Sequence, residues 1–228
     1  MTLPLVLLPG MMCDARLFAP QIAALSAGRS LICADLSRAD SMADLAAMVL
    51  ADAPRRFALA GLSMGGILAM ELLRQAPDRV ARLALLDTNP LAETPEVQAG
   101  RAGQIDRAAR GELAQMMADI FIPRYLATPD PGIEATCYAM ARDLGPQVFA
   151  RQSRALRDRP DQCATLRGYD GPALILCGAE DRLCPVARHR LMHDLMPHAA
   201  LHVIAGAGHL PTLETPQTVT EALRQWLS

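Results

Sequence analysis

Residues 57–70 read Phe57-Ala58-Leu59-Ala60-Gly61-Leu62-Ser63-Met64-Gly65-Gly66-Ile67-Leu68-Ala69-Met70. Phe57–Ala60 is wholly apolar, as a strand covered on both faces must be. From Met64 to Gln75 the apolar residues recur at helical spacing. Between the two lies Gly61-Leu62-Ser63-Met64-Gly65, the pattern G-x-S-x-G in the order strand, sharp turn, helix. A serine hydroxyl is a weak nucleophile. It must project from a tight turn to meet both a base and a substrate. Such a turn leaves little room beside the serine, so small residues flank it. The helix that follows aims its free N–H groups at a developing oxyanion. Ser63 is therefore the candidate nucleophile, and the Met64 N–H one oxyanion donor. The plainer reading is a glycine-rich turn with an incidental serine. The rest of the chain must decide between them.

Outward from this stretch, short apolar runs alternate with helix-length segments. The runs are Leu3–Leu8, Leu31–Leu36, Phe57–Ala60, Val80–Leu86, Ala173–Cys177 and Leu201–Ala205. The helical segments are Phe18–Ala27, Met42–Ala53, Met64–Gln75, Val186–Met196 and Gln217–Leu227. Ser41, with Asp44 three residues on, is a capping signal, and Thr215 stands before Pro216, a residue favoured in a first turn. The alternation predicts an α/β fold, a doubly wound and mostly parallel sheet of about six strands. Residues 90–167 break the rhythm. They hold no clear strand and read as short helices near Pro95–Arg110, Glu112–Phe121, Ile133–Leu144 and Pro146–Arg157, punctuated by proline and glycine. The expected organisation is a core of residues 1–89 and 168–228 with a helical cap inserted at 90–167.

A base and an acid stand where such a fold puts reactive groups, just past strand ends. His209, in Gly206-Ala207-Gly208-His209-Leu210, follows the last run and is the candidate general base. Asp181, in Cys177-Gly178-Ala179-Glu180-Asp181, follows the fifth and would orient the imidazole. Glu180 beside it and Asp87 after the fourth run are its rivals. Leu7-Leu8-Pro9-Gly10-Met11-Met12 follows the first run and supplies a second candidate oxyanion donor, the Met11 N–H. Cys13 nearby reads as a small buried apolar group. His189 and His193 are four apart, but Arg190 follows the first, so the pair is not H-E-x-x-H, and no third ligand is evident. No metal and no cofactor is expected.

Composition narrows the function classes. The chain has 228 residues, 51% of them apolar, and a net charge of −2, which argues for no nucleic-acid partner and no anionic-membrane surface. All 22 basic residues are arginine, so Schiff-base and P-loop lysine chemistry is excluded. No apolar run is long enough for a spanning helix. The apolar start, Leu3–Cys13, lacks a charged n-region and is broken by proline and glycine, so it reads as strand and turn rather than a signal peptide. Six scattered cysteines without a C-x-x-C pair point to a reducing, cytoplasmic setting with buried thiols, periplasmic disulfides being the alternative.

Three patterns occur together: GLSMGG around Ser63, G-x-x-D from Gly178 with Pro185 four residues later, and GH-x4-E-x-P from Gly208 to Pro216. With them the sequence resembles the α/β-hydrolase superfamily, in its carboxylesterase and enol-lactonase branch with a helical cap. The order Ser, Asp, His along the chain is the one that family uses. Two departures stand out. Family members usually carry His-Gly before the oxyanion residue, where this chain has Pro9-Gly10. Most also begin with extra antiparallel strands, so here Leu31–Leu36 should become a sheet edge. The resemblance implies a small or medium apolar ester, thioester or lactone, cleaved through an acyl-enzyme on Ser63. The alternatives are a lyase or C–C hydrolase on the same triad, as in the menaquinone-pathway lyase of this architecture, and a low-turnover binding module. The expected partner is a small molecule, and the chain reads as a monomer or homodimer. Specificity should lie in the cap, where Met116, Met117, Phe121, Tyr125, Tyr138, Met140 and Phe149 either line the pocket or fill the cap's own core. Arg151, Arg154, Arg157 and Arg159 hint at a carrier-protein surface but read first as a solvated helix face.

Overall fold

The computed structural model describes residues 2–228. Six strands form one sheet: β1 (Leu5–Leu8), β2 (Leu31–Cys33), β3 (Phe57–Leu62), β4 (Val80–Leu86), β5 (Ala173–Gly178) and β6 (Ala200–Ile204). Their order is β2-β1-β3-β4-β5-β6, and every pairing is parallel. The chain therefore leaves β1 in one direction for β2, then crosses back over β1 to β3. The loops after β1 and β3 part at this reversal and open a crevice at the carboxyl ends of the strands. Register keeps those ends level, with Leu8 opposite Gly61 and Leu62 opposite Leu86.

Side chains alternate along each strand, so the apolar runs feed two cores. Leu5, Leu7, Ala58, Ala60, Leu62, Leu86 and Leu176 face one side, where they meet α1 (Ala19–Leu25) and, past the last strand, Pro216–Leu227. Val6, Leu8, Phe57, Leu59, Leu83, Leu85 and Ile175 face the other, under α2 (Met42–Asp52), α3 (Met64–Gln75) and Val186–Leu195. Complete burial of β1 and β3 follows from this double cover.

Residues 90–167 hold helices only: α4 (Pro95–Arg107), α5 (Leu113–Met116), α6 (Pro131–Arg157) and α7 (Cys163–Arg167), with π-helical turns at Ala108–Glu112 and Met117–Phe121. After them come α8 (Val186–Leu195), α9 (Pro211–Glu214) and α10 (Pro216–Leu227). Gly145 breaks α6 with φ 77°, so the two halves run as separate helices. Met116, Met140 and Phe149 are buried in the same apolar cluster as the sheet residues Ala60 and Leu86. Ala155 and Leu156 at the end of α6, with Leu166 of α7, join the other cluster, so the helices between β4 and β5 pack against both cores.

Several expectations need correction. β2 stops at Cys33 rather than Leu36, because the Asp35 carboxylate accepts the Ser37 N–H at 2.9 Å and bends the chain off the sheet edge. The helix expected to reach Arg110 ends at Arg107, and Gly111 at φ 90° turns the chain beyond it. Ser41 does cap α2, with its oxygen accepting the Asp44 N–H at 3.1 Å. Pro216 stands in the first turn of α10 as the sequence predicts, while the Thr215 hydroxyl donates back to the Pro211 carbonyl at 3.2 Å. The helices α7 and α9 had no expectation, being too short for a periodic signal. Among the described residues no helix is long and apolar enough to cross a membrane.

Candidate active site

The turn between β3 and α3 is strained as its sequence requires. Ser63 sits at φ 56° and ψ −116°, a region that residues with a side chain rarely occupy. Its N–H donates to the Leu86 carbonyl at 2.9 Å, and its carbonyl accepts the Thr88 hydroxyl at 2.7 Å. The flanking glycines are demanded by contact: a Cβ on Gly61 would overlap the Gly65 carbonyl, and one on Gly65 the Leu8 carbonyl. With this packing the Ser63 hydroxyl faces the crevice.

The structure brings Ser63, His209 and Asp181 together, although 146 and 28 positions separate the successive partners. Ser63 Oγ lies 2.9 Å from His209 Nε2, and His209 Nδ1 lies 2.8 Å from Asp181 Oδ2. The other carboxylate oxygen, Oδ1, accepts the Leu183 and Cys184 N–H groups at 2.8 and 3.0 Å. Burial works to raise the Asp181 carboxyl. The His209 hydrogen bond and charge, with those two N–H groups, outweigh it and hold the group below its ordinary range.

Of the rivals, Glu180 is exposed and Asp87 is fully buried behind Asp181. Asp87 Oδ1 accepts the Gly178 N–H at 2.9 Å, and Oδ2 has no donor of its own. Burial first, and the Asp181 charge second, push the Asp87 carboxyl well above its ordinary range. Asp87 binds the Gly178 N–H, and it is Asp181 that His209 Nδ1 meets.

The loop bearing His209 is clamped by the glutamate of the GH-x4-E-x-P pattern. Glu214 accepts the Gly208 N–H at 3.0 Å, the Leu210 N–H at 3.1 Å and the Ala127 N–H at 2.8 Å. The His209 N–H in turn donates to the Tyr125 carbonyl at 2.6 Å, and the Tyr125 ring lies 5.9 Å from the imidazole. The inserted helices thus help hold the imidazole in place.

On the opposite side of the crevice, the Gly10–Cys13 loop is pinned by Gln152, a residue the sequence did not single out. Its side-chain oxygen accepts the Met12 N–H at 2.8 Å while its amide donates to the Leu36 carbonyl at 3.1 Å. The Met11 N–H has no protein acceptor among the described residues. Met64 opens α3, ahead of the first intrahelical bond from Ile67 to Ser63. Both N–H groups are thus free for a ligand at Ser63.

A cavity of about 550 Å³ opens over Ser63 and His209. Of the aromatic and methionine side chains expected to line it, Phe121 and Tyr125 do. Met116, Met140 and Phe149 fill the core, and Met117 and Tyr138 line a separate apolar hollow of about 430 Å³. Arg151, Arg154 and Arg157 bind Ser37, Asp40 and Asp158 near the surface, whereas Arg159 turns into the cavity. Among the described residues one group is spaced for a metal: Asp181, Cys184 and His209. Two of the three already bind each other, and burial pushes the Cys184 thiol above its ordinary range, so the set is poor in free donors. His189 lies outside it, accepting the Thr88 N–H at 3.1 Å. All six cysteines are unpaired.

The family model described as "Alpha/beta hydrolase family" matches residues 5–222. The chain is 29% identical to a pimeloyl-[acyl-carrier protein] methyl ester esterase of Xanthomonas axonopodis pv. citri, over 98% of this chain and 94% of that protein. Of two further curated relatives the chain spans only 33% and 58% of their length. A thermophilic esterase from Thermogutta terrifontis superposes with a TM-score of 0.90 at 26% identity, covering all of this chain and 90% of the other. The enol-lactonase from Burkholderia xenovorans LB400 shares the fold with a TM-score of 0.88 at 24% identity, over all of this chain and 92% of that one. With its all-parallel sheet and a family match across nearly its whole length, the chain belongs to the alpha/beta hydrolase family.

Proposed function

We propose that this protein hydrolyses small or medium carboxylic esters, thioesters or lactones through an acyl-enzyme on Ser63. The observation that carries the reading is the unbroken line from Ser63 Oγ through His209 to Asp181, at 2.9 and 2.8 Å. In this reading His209 Nε2 takes the hydroxyl proton as Ser63 Oγ attacks the substrate carbonyl. The oxyanion turns into the Met11 and Met64 N–H groups. His209 returns the proton to the departing alkoxide or thiolate, which leaves an acyl ester on Ser63. Water, deprotonated by the same imidazole, then releases the acid. Asp181 orients the ring and steadies its charged form. Residues 90–167 act as the cap, closing the cavity and tying the His209 loop through Tyr125.

The test is labelling with a fluorophosphonate, followed by turnover of 4-nitrophenyl esters of increasing acyl length and a lactone panel. Label on the Ser63 peptide, with hydrolysis that is lost in a folded Ser63→Ala protein, is the expected outcome. A folded protein that resists labelling overturns the assignment of the nucleophile. Labelling without turnover of any ester or lactone would instead favour a lyase or a binding module on the same triad.

A further inference from the structure

We propose that the cavity over Ser63 holds a second recognition site, in which Arg101 with Arg159 binds a carboxylate carried by the substrate. The substrate class is then the half-ester or half-thioester of a dicarboxylic acid. This rests on the reading of Ser63 as the nucleophile.

The site is built around Glu93, whose side chain is 2% exposed. Arg101 grips it with two bonds, Nη2 to Oε1 at 2.5 Å and Nε to Oε2 at 3.3 Å. Arg159 takes the same Oε1 at 2.8 Å and also donates to the Leu91 and Leu156 carbonyls at 3.0 and 3.3 Å. The arginine side chains are only 14% and 10% exposed. Two nearly buried guanidinium groups therefore share one carboxylate, and a positive charge is left over. Burial depresses the Arg159 guanidinium, and Glu93 is the one carboxylate that opposes this. The other acidic group on the wall, Glu96, is exposed to solvent. Arg124 and Arg188, also exposed, add positive charge at the mouth.

A charge in a partly desolvated site calls for a partner. Arg159 alone would complete a structural staple, since it already joins Glu93 to two carbonyls. Arg101 adds the unmatched charge, and it does so beside the oxyanion loop. Among the described residues its Nη1 meets the Met11 thioether alone, at 3.8 Å. That donor and the reacting serine line one cavity. A carboxylate on the substrate supplies the counter-charge that Arg101 lacks. Arginine suits a carboxylate by shape as well as by charge.

The experiment compares monomethyl esters of C4 to C8 dicarboxylic acids with methyl esters of the chain-matched monocarboxylic acids, followed by proton release at fixed pH. Wild-type protein is expected to favour the half-ester by about tenfold or more in kcat/KM at its best chain length, mainly through KM. Arg101→Met should bring the ratio of half-ester to neutral ester close to one, and Arg101→Lys should restore part of it. The free dicarboxylate should inhibit wild-type protein competitively and the Arg101→Met protein far less. Fluorophosphonate labelling of Ser63 shows that each variant retains its site. If wild-type protein labels at Ser63 and hydrolyses both series equally at every length, the carboxylate site is overturned and the esterase reading stands. If it neither labels nor turns over either series, both fall. The wild-type ratio decides the matter even where a variant does not fold.

Discussion

Around Ser63 the informative residues are those that touch no substrate. Asp87 has its folded pKa raised, so its protonated form contributes stability that is complete below the ordinary carboxylate pKa and fades as pH rises through the folded value. Asp87→Asn keeps an acceptor for the Gly178 N–H but does not titrate. It should raise stability at pH 8 and make little difference at pH 4, as read by urea unfolding at the two pH values. Glu214 makes the opposite kind of case. Its carboxylate accepts N–H groups from both sides of the His209 loop. Glu214→Ala should lower kcat by about tenfold to a hundredfold, with a smaller change in KM, because the imidazole loses its fixed position. Glu214→Gln, which keeps an acceptor oxygen, should recover part of the loss in the same assay.

The elements were legible to the extent that their signal was local. The bounds of β4 and α3 agree with the periodicity, since an apolar run and a helical stripe are each read from neighbouring residues. β2 and α4 fell short of their expected ends where a polar turn or a glycine intervened. Gly145 is the clearest hinge. Its φ of 77° and ψ of 176° lie where residues with a side chain are strained, yet a Cβ there would meet nothing within 4 Å. Gly145→Ala therefore isolates the backbone cost from any clash. It should destabilise the protein by about 1–3 kcal/mol in equilibrium unfolding while leaving labelling of Ser63 intact.

Across the whole molecule, pH acts through a histidine outside the triad. His189 is fully buried, and desolvation lowers its pKa to about 4. Above its unfolded pKa of about 6.5 both states are neutral and nothing is lost. Between there and about pH 4 the unfolded chain binds a proton that the folded one refuses, so stability falls as pH falls. The loss is roughly 3 kcal/mol by pH 4. His189→Gln, which keeps an acceptor for the Thr88 N–H, should flatten that part of the stability profile measured by denaturant melts from pH 7 to pH 4.

By itself the sequence determined the architecture and the chemical candidates. Apolar periodicity is local, a G-x-S-x-G turn between strand and helix carries its own steric logic, and strand ends in a parallel sheet are the one place where Asp181 and His209 can meet Ser63. What only the tertiary structure decided depends on contacts between distant segments. Gln152 reaches Met12 across 140 positions, and Arg159 reaches Glu93 across 66. No periodicity reports such pairs, because burial of a polar side chain is set by what packs around it rather than by its neighbours in the chain. Arg159 read as one more charge on a solvated face, and only the folding of the inserted helices onto the sheet turned it into the cavity beside Ser63.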